Sequence, residues 1–571
     1  MSTDSNRENT AVLSLKPAIS RFILILSMLV MGACGLIYEY VLSVLGNNIM
    51  GTSHEQIFII IGLMLFAMGV GALVQRNISS NLMDAFLWLE LILGALGGFS
   101  ALAIYAAFSY WESFEIILYG FAFLIGTCIG MEIPILIRIN NEYSASLRTN
   151  LSEILSVDYI GSLLGAFLFT YVLLTRVSLA RIGFLLGITN LCIALVGFLY
   201  FRHLLKFRRA IIGGMLLLFP ALVLGLIFAN DWTRYLEQRY YRDPIIFRQT
   251  TKYQHVVLTN RGPRLNMYLN GNLQFSSLDE HIYHDFLVHV PMSLASRRKR
   301  VLVLGGGDGL AVREVLKYPE VREVVLVDID PAVTRIAATH PAMTRLNRGS
   351  LRDARVALVP AGGLKPGRLV PLLQKSARRT HNIGEPRRGH VADVYLFHVD
   401  ADGFVRNVQG TFDVVIMDFP DPGRLELAKL YSLDFFRALN KRMKSDTLLA
   451  LQATSPFFAR EAFLCIGKTL KAAGLDAVPY HASVPTFSGD WGWYIARRSS
   501  RSAGTGAFRP RRRFGEMRNL PVKTDYVSPD LLQASFVFGR NQLKPRYPIR
   551  VNTKMIPVLV DYYRRAWEGF E

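Results

Sequence analysis

The chain has 571 residues, a formal net charge of +20, 51% hydrophobic residues and a mean hydropathy of +0.27. That hydropathy is high for a chain of which 19% is charged, so it averages two unlike halves. Together these values exclude a single soluble globule, a disordered chain and a small disulfide scaffold.

The charge divides along the sequence. Residues 1–20 balance Arg7 and Lys16 against Asp4 and Glu8, which predicts a neutral N-terminal tail. Residues 21–229 hold ten basic and ten acidic side chains, again net zero, and are read as a multi-pass transmembrane domain. The remaining 342 residues hold 52 basic and 32 acidic side chains and carry the whole excess. Cys34, Cys128, Cys192 and Cys465 form no CxxC or Cys/His spacing, so no metal site is expected. Cys465 stands alone in the soluble half, so no disulfide is expected within it. The first apolar run is too long for a cleavable signal and is followed by others.

Seven runs are long enough to cross a bilayer: 21–46, 56–75, 82–109, 115–138, 153–175, 181–201 and 209–229. Small residues within them, as in Gly69-Val-Gly71 and Gly94-Ala-Leu-Gly97-Gly98, let helices approach closely. Glu39, Asp84, Glu90, Glu132 and Asp158 lie within or near the ends of these runs. Carboxylates at membrane depth are costly and face the bundle interior. They read as a proton relay or cation path, with Glu132-Ile-Pro134 foremost, or else as interhelical glue near the interface.

Two expectations about topology conflict. The N-terminus and even-numbered loops hold ten basic residues against five on the other side, which places the N-terminus in the cytoplasm. With seven spans the C-terminal half then lies outside. The chemistry below needs an intracellular metabolite, and it is taken as the stronger argument.

Residues 245–295 begin the soluble half. Residues 253–275 alternate, with Asn270-Gly271-Asn272 as punctuation, and read as an antiparallel β segment. Residues 279–295 read as helix. From 296 to 571 strands alternate with helices, which predicts a Rossmann-like parallel sheet. The strand Arg300–Leu304 runs into Gly305-Gly-Gly-Asp308-Gly309, and a second strand ends at Asp328-Ile-Asp330. Gly305, Gly307 and Gly309 allow a tight turn and close approach of a ligand, and Asp328 is placed to bind ribose hydroxyls. The turn lacks a phosphate-binding Gly-Lys-Ser/Thr, and Asp308 repels phosphate, so the ligand is read as a cation bearing adenosine, a sulfonium or an amine. A third strand, Phe412–Asp418, opens into Asp418-Phe-Pro-Asp421-Pro422. Two carboxylates three residues apart at a strand's carboxyl end can take a proton and hold a distal cation; the alternative is an ordinary Asp/Pro turn.

These residues resemble spermidine synthases (polyamine aminopropyltransferases), in the bacterial subgroup with an N-terminal multi-pass membrane region. The resemblance is carried by Ala33–Glu39, Leu65–Gly71, Tyr253-Gln254, Asn270-Gly271, Gln274, Asp279-Glu280, Tyr283-His284, Gly305–Gly309, Val327–Asp330, Asp402-Gly403, Asp418–Pro422 and Gln452. It implies an aminopropyltransferase that uses decarboxylated S-adenosylmethionine as cosubstrate, a diamine such as putrescine as acceptor, and no further cofactor. By resemblance, Gln254, Asp328 and Asp402-Gly403 hold the adenosine part, and Asp308 and His284 contact the amine-bearing part. Asp418 is the proton acceptor, Asp418 and Asp421 bind the diamine, and Tyr283 lines its channel. Soluble members associate into dimers or tetramers.

Departures from the pattern bear on the acceptor. Asn270 stands for an Asp, Asp328 for a Glu, Phe487 for a tyrosine that touches the diamine, and Gly423-Arg424 for Gly-Pro. Residues 351–393 form a basic insertion with nine basic and three acidic groups. Residues 497–513 add seven arginines and no acid. Both read either as solvated loops or as segments drawn to anionic lipid headgroups. No aromatic interleaving points to nucleic acid. The competing readings are a transporter or sensor with a non-catalytic synthase-like domain, and a class I methyltransferase. The retained Asp308, Asp418 and Asp421 argue against the sensor, and the Asp-x-x-Asp-Pro rim and Tyr283-His284 favour a diamine over a methyl acceptor.

Overall fold

In the computed structural model the chain divides into two units, Met1–Ile245 and Ile246–Glu571. The structure describes residues 4–50, 55–111, 113–143, 146–352, 356–359, 392–499 and 508–567. Most of the basic insertion, and residues 500–507 of the second basic stretch, lie outside the described residues.

Among its described residues the first unit contains seven helices long and apolar enough to cross a membrane: Ile19–Asn47, Gln56–Asn77, Leu82–Tyr110, Phe114–Asn140, Leu147–Arg176, Leu179–Leu204 and Arg208–Tyr240. Hydropathy marks only the apolar stretch of a helix, and two helices run past it. The first begins at Asp4, so residues 4–20 are helical rather than a separate tail, and the last continues beyond 229 to Tyr240. Backbones meet where side chains vanish. A Cβ on Gly71 would stand 2.1 Å from the Thr127 carbonyl oxygen, and one on Gly130 would stand 2.0 Å from that of Met68. Gly69 has nothing within 4 Å, so of that pair Gly71 makes the contact.

The intramembrane carboxylates part company. Asp84 accepts the backbone N–H groups of Lys206 (3.1 Å) and Phe207 (2.8 Å), which makes it interhelical glue at the start of the seventh span. Glu90 and Glu132 are buried, and both carboxylate oxygens of Glu90 lack a hydrogen-bond partner among the described residues.

The second unit opens with a four-stranded sheet, β1 (Ile245–Thr250), β2 (His255–Arg261), β3 (Arg264–Leu269) and β4 (Asn272–Ser276), in sequential order. Asn270 and Gly271 have φ of +50° and +80°, the pair of left-handed residues that a tight hairpin turn requires. The Asn270 side chain accepts the His255 N–H at 2.8 Å, so this position serves the turn.

The large sheet has eight strands: β5 (Arg300–Gly305), β6 (Glu323–Asp328), β7 (Val356–Val359), β8 (Asp393–His398), β9 (Phe412–Asp418), β10 (Met443–Gln452), β11 (Leu475–Val484) and β12 (Gly489–Arg498). Their order is β11-β12-β10-β9-β5-β6-β8-β7. From β10 to β7 all neighbours are parallel, and the core strands bury both faces. Val301, Val303, Val324, Leu326, Val414 and Ile416 enter one core. The alternate residues Leu302, Leu304, Val325, Val327, Val415 and Met417 enter the other. The expectation of a parallel sheet fails at one edge, where β11 and β12 are antiparallel. Only four residues join them, and a connection that short can only reverse the chain.

From β5 the chain winds outward through β6 to one side, and β9 and β10 lie on the other. Strand order therefore reverses between β5 and β9, and in such folds the ligand crevice opens at the carboxyl ends of the flanking strands.

Candidate active site

Gly305 and Asp418 are register partners at the ends of β5 and β9, so the glycine turn and the acidic rim meet at the switch point. Gly305 has φ +78°, and a Cβ there would lie 2.1 Å from the Asp418 carbonyl oxygen. No other residue fits this position. Gly306, absent from the sequence-based set, also has positive φ, and its N–H donates to the Asp418 carbonyl at 3.2 Å. Gly307 stands against Asp328: its N–H donates to Oδ2 at 2.9 Å, and a Cβ would meet that oxygen at 2.5 Å. At Gly309 a Cβ would meet Ser350 Oγ at 2.7 Å.

Asp418, Asp308 and His284 form the centre. One ligating atom from each lies within 4.8 Å of the others. Tyr283 donates its phenolic proton to Asp418 Oδ1 at 2.7 Å, and His284 Nε2 lies 3.8 Å from Oδ2. The helical stretch Glu280–Leu294 presents both residues and is interrupted by a π-helical turn at Asp285–His289, a distortion frequent at functional sites.

His284 is held from behind. Its Nδ1 donates to Glu280 Oε2 at 2.9 Å, and Arg313 clamps Glu280 with bonds of 2.8 and 2.9 Å. Burial alone would lower the imidazole pKa, but the Glu280 bond and the charges of Glu280 and Asp418 raise it to about 9. Burial would raise that of Glu280, but His284 and Arg313 bring it to about 2. At neutral pH His284 therefore keeps both ring protons. In a second buried cluster, His289 Nε2 is hydrogen-bonded to Glu314 Oε2 at 2.9 Å and lies 3.2 Å from Asp285 Oδ1 as an ion pair.

The carboxylates of the cleft shift the other way. Burial raises Asp308 to about 6, although the His284 charge opposes the rise. Burial raises Asp328 to about 6 against hydrogen bonds from the Asp330 and Gly307 N–H groups. Asp421 also rises to about 6 by burial, opposed by Tyr563, Gln452 and Thr454. Asp418 rises by burial, opposed by His284 and the Tyr283 bond. Carboxyls so raised in one cleft are ready to receive a cation.

Asp421 is ringed by donors: Tyr563 OH at 2.8 Å on Oδ2, Gln452 Nε2 at 3.3 Å on Oδ1 and Thr454 Oγ1 at 3.4 Å on Oδ2. Thr454 has φ +61°, rare for a β-branched residue and a mark of local strain. Phe487 meets the Tyr283 ring edge to face, with centroids 5.7 Å apart, and completes an apolar wall with Trp491.

Two positions from the sequence set have partners of their own. Gln254 donates to Asp330 Oδ2 at 3.1 Å, and Asp330 also caps the helix Pro331–Thr339. Asp402 is paired with Arg406 at 3.1 Å and Lys554 at 2.6 Å. Burial would raise its pKa, but these two cations hold the carboxyl below the usual range. Gly403 donates its N–H to Asp400 Oδ2 at 3.1 Å as part of the cap of the helix Ala401–Asn407. Sequence reasoning missed Tyr563, Thr454 and the Glu280–Arg313 clamp. The clamp had a trace in Asp279-Glu280, but nothing in sequence spacing connects residue 563 to residue 421.

A family model described as the spermine/spermidine synthase domain matches residues 280–365 and 389–503, and its break falls inside the basic insertion. The chain is 32% identical to a polyamine aminopropyltransferase of Oceanobacillus iheyensis over 547 residues, covering 95% of this chain and 96% of that one. It is 35% identical to polyamine aminopropyltransferase 2 of Ralstonia nicotianae over 554 residues, covering 96% and 98%. The crystal structure of spermidine synthase from Thermotoga maritima aligns with 20% identity and a TM-score of 0.38, covering 52% of this chain and 87% of that one. With a glycine turn and an acidic rim at the switch point of a Rossmann-like sheet, and full-length likeness to such relatives, the chain belongs to the polyamine aminopropyltransferase family and is an aminopropyl-transferring enzyme.

Proposed function

We propose that the enzyme moves the aminopropyl group of decarboxylated S-adenosylmethionine to a diamine such as putrescine, giving spermidine and methylthioadenosine. Asp328 takes the ribose hydroxyls, and Gln254 with Asp402-Gly403 flanks the adenosine. Asp308 and His284 face the amine-bearing arm. The acceptor enters past Tyr283, and Asp421 holds its distal ammonium.

A protonated amine has no lone pair, so Asp418 takes a proton and aims the neutral nitrogen. That lone pair forms the new C–N bond to the carbon beside sulfur. The C–S bond breaks, and its electron pair stays on sulfur as neutral methylthioadenosine. The leaving group carries no charge, so the site needs no oxyanion hole, and fixing the two reactants in line supplies much of the rate.

The observation that supports this reading most is the Gly305–Asp418 register pair with Asp308 beside it. It sets a carboxylate over a turn that repels phosphate and accepts a sulfonium. The test uses full-length protein in detergent with decarboxylated S-adenosylmethionine and a panel of diamines. Methylthioadenosine should form only when an amine is present; no release with any amine from folded protein would overturn the reading.

The protein is read as a multi-pass protein of the cell membrane with the synthase unit on the cytoplasmic side, where its substrates are made. A C-terminal reporter active only in the cytoplasm should be active; an inactive one would reverse the assignment. Exposed Arg509, Arg511, Arg512 and Arg513 support attraction to anionic headgroups. The unpartnered Glu90 carboxylate supports a cation path through the membrane unit as a second activity. Uptake of labelled putrescine into proteoliposomes, lost in Glu90→Gln, tests it.

A further inference from the structure

The family match ends at residue 503, yet the chain beyond it returns to the cleft. Asn552, fully buried, fixes this segment: its side-chain amide donates to the carbonyls of Ala428 (2.9 Å) and Tyr431 (3.1 Å), and its own carbonyl accepts the Leu433 N–H at 2.8 Å. The helix Val558–Trp567 follows and buries Leu559 and Tyr562 in the second core of the sheet. Trp567 stacks on Phe458 with centroids 5.8 Å apart. A helix anchored at both ends presents one side chain to the acidic rim. Tyr563 donates to Asp421 Oδ2 at 2.8 Å, and its ring lies over Gly423, where a Cβ would be 3.1 Å from Cδ1 and Cε1.

We propose that Tyr563 is a positioning and specificity-determining residue: it aims the Asp421 carboxylate and forms the distal wall of the acceptor subsite, so that it sets the length of amine that fits. The proposal rests on the reading of Asp421 as the anchor of the distal ammonium. A carboxylate offers about four lone-pair directions. Tyr563, Thr454 and Gln452 occupy three, which fixes the plane of the group and leaves one face for the substrate. The phenol ring adds a rigid stop next to that face. Gly423 is the complement of this ring, since a side chain there would take its space.

The test compares wild type, Tyr563→Phe, Tyr563→Ala and Asp421→Asn as full-length protein in detergent, with linear diamines of increasing length and a triamine. Tyr563→Phe keeps the wall and removes the donor. It should raise the amine KM about tenfold, leave the cosubstrate KM unchanged, and move the acid limb of kcat/KM to higher pH. Tyr563→Ala opens the wall and should shift preference toward longer amines by about tenfold per methylene. Unchanged amine KM, length preference and pH profile in both variants, with a raised amine KM in Asp421→Asn, would overturn the role of Tyr563 alone. An unchanged amine KM in Asp421→Asn would instead overturn the reading of the anchor. If Tyr563→Ala loses cosubstrate binding through misfolding, the pH profile and KM of Tyr563→Phe decide.

Discussion

Tyr283 and Asp418, 135 residues apart in sequence, share a hydrogen bond of 2.7 Å, while the next residue, His284, places Nε2 3.8 Å from the second oxygen of the same carboxylate. Two consecutive side chains thus address both oxygens of the Asp418 carboxylate. The phenol favours the ionised form, so Tyr283→Phe should make Asp418 harder to ionise. We expect kcat/KM to fall about 10²-fold, with its acid limb moved upward, while methylthioadenosine binding persists. Initial rates across pH, together with calorimetric binding, check this.

On the proposed function, the cleft carboxylates should set the pH dependence of the wild type. Asp308 and Asp421 rise to about 6, and in the proposed reaction both would act as anions toward a cationic substrate. kcat/KM should therefore drop below about pH 6, well above the ordinary range of an aspartate near 4. A limb near pH 4 would show that these groups do not govern binding.

Stability should vary in the opposite range. The folded pKa of His284 is raised from 6.5 to about 9, so its contribution is fully present below 6.5 and is lost as pH rises through 9. Thermal melts of the enzyme should show falling stability of the synthase unit between these values.

The clamp behind His284 can be broken directly. Glu280→Gln takes one of two carboxylates from buried Arg313, which keeps Glu314 at 2.7 Å, and the loss should be about 1–3 kcal/mol. The same change should lower the His284 pKa, visible in the histidine ring signals by NMR of labelled protein. A melt unchanged from wild type would show the pair to be dispensable.

Gly305→Ala tests the turn. Positive φ and a Cβ placed 2.1 Å from the Asp418 carbonyl oxygen demand a backbone shift at both strand ends. We expect loss of cosubstrate binding and a cost of about 1–3 kcal/mol in stability, measured by calorimetry and thermal melting.

Much of this architecture was legible from local signals. Seven apolar runs mark the spans because a bilayer demands length, and glycines with strand-end acids mark the switch point because the turn demands them. Other features are set by contacts that no spacing reports. Apolar runs could not show that the helix at 229 continues to Tyr240, since a helix needs no apolar face once started. Alternation into helices suggested parallel strands throughout, and the short β11–β12 connection reversed one edge. Asn270 read as a departure at the site, yet its left-handed backbone and its bond to His255 make it a turn residue. Asp402 matched the family pattern, but its partner Lys554 comes from a distant segment, as does the Tyr563 that meets Asp421.

The central claim is that Asp418 accepts the proton while an aminopropyl group passes to an amine at this cleft. Its most direct test is mass spectrometry of the amine product from wild type and from Asp418→Asn, each incubated with decarboxylated S-adenosylmethionine and putrescine. The account predicts spermidine and equimolar methylthioadenosine from wild type, and neither from Asp418→Asn despite intact nucleoside binding. Spermidine formed by Asp418→Asn at the wild-type rate would contradict it.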